Sequence, residues 1–105
     1  MHRPSRAALA REVAARRSLL NEQLTSLLRR SGSTAALDDI KTLIFNETDA
    51  RHPSEYFSDL IAMFDTDRID IDAILPVIQD AWNYLPHRRY NGECPYERIL
   101  QSPRR

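Results

Sequence analysis

The sequence is poor in several residue types that other small folds depend on. It holds one cysteine, Cys94, in 105 residues. An internal disulfide and a multi-cysteine zinc cluster are therefore excluded, and a reducing compartment, the cytoplasm, is expected. Only two glycines are present, at Gly32 and Gly92, and Val and Thr are scarce. This argues against an all-β fold and leaves no glycine-rich phosphate loop. No apolar run approaches the roughly 20 residues that cross a bilayer, so no membrane span is expected. No secretory signal is expected either, since the sequence shows no continuous apolar core of that kind. The first thirty residues are Arg-rich and amphipathic like a mitochondrial transit peptide, but Glu12 and Glu22 break that acid-poor pattern. Lysine is almost absent: of fifteen basic residues only Lys41 is not Arg.

What remains is a chain with 42% hydrophobic and 29% charged residues, the balance of one globular domain over 1–105. Net charge is zero, but its distribution is uneven. Residues 1–30 hold seven Arg and two acids, residues 31–85 three basic residues and eleven acids, and residues 86–105 five Arg and two acids. Two basic ends flank an acidic middle. Either the ends fold against the middle, or the Arg-rich ends meet a phosphate backbone.

The hydrophobic periodicity is helical throughout. Residues 1–5 read as a loose lead-in. Residues 6–30 read as one long helix, in which Ala10, Val13, Ala14, Leu20, Leu24, Leu27 and Leu28 form a stripe interrupted by Arg17. Gly32 follows as its C-cap. The helix has about seven turns, long for so small a domain. It either spans the bundle or offers Val13, Leu20, Leu24 and Leu27 to a second helix as a short coiled-coil seam.

The helical core is expected over 34–85. Ser33 or Thr34 caps a second helix from about Ala35 to Asn46, with Ala36, Ile40, Leu43 and Ile44 inward. Pro53 opens a third, about Ser54 to Phe64, with Tyr56, Phe57, Leu60, Ile61 and Phe64 on its apolar face. Asp70 or Asp72 caps a fourth. The later start, at Ala73, is expected, since it leaves Pro76 at the helix edge, whereas a start at Ile71 would kink the helix.

The stretch from Asp72 to Leu100 has the most specific residue order. Ile74, Leu75, Ile78, Trp82 and Leu85 form one helix face, and Pro86 stops the helix at about Leu85. Residues 86–105 then form a basic loop and a short helix. Asn91-Gly92 is a turn, since both residues tolerate positive φ. Pro95 suits the first position of a helix, and Glu97 can reach back to the backbone N–H of Cys94. Trp82, Leu85, Tyr96 and Ile99 should tie this last element to the bundle. The expected fold is all-α: a small bundle with a long N-terminal helix, three shorter helices and a C-terminal turn-helix.

The pattern Trp82-Asn83-x-x-Pro86-His87, then Gly92-x-Cys94-Pro95-x-Glu97, resembles a segment near the end of integrase-core transposases. Similar segments occur in bacterial proteins that lack the transposase core. Cys94 stands where that segment carries Ser or Thr. The resemblance covers under a fifth of the chain. It implies a link to mobile DNA but no transferred catalysis, because no strand-rich region carries the acidic residues of such a nuclease.

Three constellations were weighed for chemistry. Asp65, Asp67, Asp70 and Asp72 lie between two helices as in an EF-hand, but Ile69 falls at position five, Asp70 at six and Pro76 at twelve, where the calcium loop needs an oxygen ligand, Gly and Glu. Helix capping accounts for the acids. His87, Arg88 and Arg89 beside Tyr90 form a candidate phosphate contact, and a solvated basic loop reads the same way. Cys94 and His87 lack a third catalytic group. No enzyme, cofactor or metal is expected. The leading expectation is a non-catalytic protein-interaction module that self-associates through the N-terminal helix. The alternative is a nucleic-acid-binding accessory protein that uses its Arg-rich ends.

Overall fold

The computed structural model describes residues 5–101. They form five α-helices and no strand: α1 (Arg6–Ser31), α2 (Leu37–Phe45), α3 (Pro53–Ile61), α4 (Ile71–Tyr84) and α5 (Pro95–Gln101), with a single 3₁₀ turn at Arg88–Tyr90. The fold is all-α. Of the lead-in expected over 1–5, residues 1–4 lie outside the described residues, as do residues 102–105.

α1 is the axis of the molecule. At about 1.5 Å per residue its 26 residues span close to 39 Å of a molecule whose long dimension is 45 Å. Ser5 caps its start, its Oγ accepting from the Ala8 N–H at 3.1 Å. Gly32 ends it at φ 69°, and its N–H donates to the Arg29 carbonyl. The helix serves two separate apolar clusters. Leu20, Leu24, Leu27 and Leu28 join Ile40, Ile44, Leu60, Phe64, Ile74, Ile78 and Leu85 in the main core. Leu9 and Val13 pack instead with Cys94, beside Tyr96 and Leu100 of the C-terminal element. The seam nominated for self-association is thereby spent inside the chain: Val13, Leu20, Leu24 and Leu27 are all at most 5% exposed. Fourteen helical positions separate Val13 from Leu27, and their burial by different partners explains the helix's length without a second chain.

The shorter helices correct several expected boundaries. α2 begins two residues late because Ser33 is engaged elsewhere. Its hydroxyl donates to the Met63 carbonyl and accepts from the Ala35 N–H. The cap residue is Ala36, whose N–H is taken by Asp39 Oδ2 at 2.7 Å. α3 opens at Pro53 with His52 as cap. His52 Nδ1 accepts from the Ser54 N–H, and Glu55 Oε2 accepts from the His52 N–H. The helix ends at Ile61 rather than Phe64. Tighter bonds, Met63 N–H to Leu60 O and Phe64 N–H to Ile61 O, then swing Phe64 into the core.

α4 starts at Ile71, not Ala73. Asp70 caps it, its Oδ1 accepting from the Asp72 N–H at 3.0 Å. Pro76 therefore lies inside the helix and forfeits one backbone bond. Ile99, expected to tie down α5, is 73% exposed; Cys94, Tyr96 and Leu100 make that contact instead. No helix among the described residues is long and apolar enough to cross a membrane.

Gly32 is the glycine the fold most needs. A Cβ there would lie 2.9 Å from Arg68 Nη1, the end of an exposed side chain that can swing away, so the penalty is one of backbone conformation. Gly32→Ala should cost about 1–2 kcal/mol in urea denaturation, with an unchanged m-value.

Candidate functional site

The chemistry-bearing residues gather around the end of α4. A helix leaves its last carbonyls without N–H partners, and here Pro86 and the extended Leu85 prevent a further turn. The structure satisfies three of those carbonyls individually. Ala81 O accepts from the Leu85 N–H at 2.9 Å. Trp82 O accepts from His87 Nε2 at 2.7 Å. Tyr84 O accepts from Arg17 Nε at 2.6 Å.

Each side-chain donor is backed by a carboxylate. Behind His87 stands Glu47, with Oε1 3.1 Å from Nδ1, and Arg89 Nη1 reaches Glu47 Oε2 at 3.2 Å. His87 and Glu47 are 0% and 4% exposed. The imidazole lies edge-on to Trp82 with ring centroids 5.1 Å apart, and Tyr90 flanks it at 5.7 Å. Both ring nitrogens lie within hydrogen-bond distance of an oxygen, Nε2 of Trp82 O and Nδ1 of Glu47 Oε1. Behind Arg17 stands Glu97, which accepts from Arg17 Nη2 at 3.2 Å and from the Cys94 N–H at 3.1 Å. Arg17, which seemed to break the stripe on α1, crosses the molecule where its two apolar clusters meet.

These positions decide what the nominated residues can do. His87 is removed from any phosphate contact, since it is buried and both nitrogens are engaged. Arg89 is tied to Glu47 and lies over Tyr90 at 5.1 Å. Arg88 is exposed: it bonds Asn46 Oδ1 and lies 5.8 Å from the Phe45 ring centroid. Cys94 does not meet His87 in a cleft. It is buried against Leu9 and Val13, and burial pushes its thiol above the usual range. In the Asp-rich loop, Asp65 Oδ1 accepts from the Asp67 N–H and Asp65 pairs with Arg68, while Asp70 caps α4. Among the described residues no group of three His, Cys, Asp or Glu side chains is placed to hold a metal ion.

Beside this cluster lies a cleft of about 360 Å³ between α1, α2 and the end of α4. Phe45, Leu85 and Pro86 form its apolar side; Arg17, Asn21, Lys41 and Thr42 complete it. Two of these are cations and none is an acid. Sequence reading passed over Glu47, Phe45 and Lys41 as functional residues. For Glu47 a signal was present: Ile40, Ile44 and Glu47 share one helical spacing, which carries the buried face of α2 past its end. In comparisons with known proteins, the chain matches no family model, no curated protein and no solved structure.

Two predictions follow from this geometry. His87→Ala leaves Glu47 buried with one donor fewer and Trp82 O unbonded, and should cost about 2–4 kcal/mol. Combined with Glu47→Gln, the loss in a urea double-mutant cycle should fall short of the sum by about 1 kcal/mol or more. Cys94 should react with iodoacetamide far more slowly than a free thiol near neutral pH, and at the free-thiol rate once unfolded. Because the folded thiol ionises later than the unfolded one, stability should decline as pH rises above about 8.5. Cys94→Ala should remove that decline.

Proposed function

We propose that this chain is a non-catalytic interaction module of the cytoplasm that binds a partner protein through the cleft edged by Phe45. The observation that carries the reading is the contrast between the two halves of the site. The groups capable of reaction, His87, Glu47 and Cys94, are sealed in the interior and occupied with capping or packing. The cleft beside them holds no carboxylate, cysteine or histidine and keeps a large aromatic, Phe45, 38% exposed at its rim. Concave apolar surface with a few convergent polar groups is the usual form of a binding site. The inward packing of Val13, Leu20, Leu24 and Leu27 moves the reading away from α1 and from self-association.

One observation favours a second reading, nucleic-acid binding: Arg88 is exposed beside an exposed aromatic, an arrangement suited to a phosphate and its base. The resemblance of Trp82 to Glu97 to transposase tails points the same way. A single experiment separates the two. The immobilised full chain should capture a protein from native lysate, with capture unaffected by nuclease, abolished by Phe45→Glu and retained by Ile99→Glu. Loss of capture on nuclease treatment supports the nucleic-acid reading instead, and indifference to Phe45→Glu sinks the cleft.

A further inference from the structure

We infer that the cleft between α1, α2 and Pro86 receives the C-terminal residue of a partner polypeptide, an apolar side chain carrying a free α-carboxylate. This rests on the module reading above and names the chemistry of the partner.

The first support is charge. Arg17 is committed to Tyr84 O and Glu97, so Lys41 is the cation left available. Lys41 is half-buried and makes no ion pair among the described residues. Its ammonium therefore has no counter-charge to displace before it meets an incoming anion. The absence of any acid from the lining leaves nothing there to repel one.

The second support is shape and polarity. Phe45, Leu85 and Pro86 offer a hydrocarbon surface in the same concavity as Lys41. A volume of about 360 Å³ lies at the small end of ligand cavities, which run from roughly 300 to 1,000 Å³. Charge and hydrocarbon must therefore arrive together on a compact group. A C-terminal Leu or Phe combines them on one residue, whereas an internal acidic segment spreads them over two. The neighbouring groove between α1 and α4, lined by Leu19, Leu27 and Val77, is of similar size but carries both Glu22 and Arg30 and has no such preference.

The test uses the full chain, labelled with ¹⁵N and titrated with an N-acetylated peptide ending in Leu, as the free acid and as the C-terminal amide. The free acid should shift the Lys41, Thr42 and Phe45 amides saturably and bind about three- to fivefold more tightly than the amide, the scale of one exposed ion pair. Lys41→Met should remove that preference. Equal affinity of acid and amide for the native chain overturns the inference without recourse to any variant. So do shifts centred on Leu19 and Val77, or none at millimolar peptide. If lysate capture still depends on Phe45 when acid and amide bind equally, this inference alone falls; if capture ignores Phe45, the module reading falls with it.

Discussion

The structure turns on carbonyl oxygens at the end of one helix. Pro86 stops α4 at the edge of the core and leaves its last carbonyls without helical partners. Trp82 O and Tyr84 O are instead satisfied by His87 from the following loop and Arg17 from α1. Each of these donors also meets a carboxylate, His87 meeting Glu47 and Arg17 meeting Glu97. Glu97 in turn starts α5 by holding the Cys94 N–H. A single proline thus fixes the relative placement of α1, the α2–α3 connection and the C-terminal element. The residues it recruits include the most reactive in the chain, and their recruitment withdraws them from solvent.

Among the described residues, two ion pairs join the basic segments to the acidic middle, Arg16 with Asp80 at 4.0 Å and Arg89 with Glu47 at 3.2 Å. The first pair is exposed and contributes little. The second involves a carboxylate 4% exposed, whose desolvation has to be offset by two donors at once. Lys41 stands outside these pairings, and this gives the cleft its character. The acids that surround α2 in sequence, Asp38 and Asp39, sit in its first turn, where the helix dipole and the Ala36 N–H hold them.

Much of the fold was legible because its signals are local. The 3.6-residue spacing marks each helix, Gly32 and Asn91-Gly92 take positive φ where turns require it, and Pro95 with Glu97 opens α5. Two of the discrepancies come from groups whose partners lie far away in sequence, and one, at Asp70, is local. Ser33 fails to cap α2 because Met63 O, thirty residues on, takes its hydroxyl. Asp70 caps α4 early enough to put Pro76 inside the helix. His87 beside two arginines reads as a basic loop until Glu47, forty residues upstream, is seen against its ring. The cleft was illegible for the same reason: Arg17, Lys41 and Pro86 become neighbours only through tertiary packing.

The two apolar clusters along α1 also differ in how firmly they hold the chain. The larger draws on four helices, whereas the smaller joins Leu9 and Val13 to little more than Cys94, Tyr96 and Leu100. Opening of α5 exposes few apolar groups and leaves the four-helix core closed, so it defines a cooperative unit of lower free energy than global unfolding. The outer turns of α1 share that unit. The molecule is accordingly a stable body with a latch, and Arg17 with Glu97 marks the joint between them.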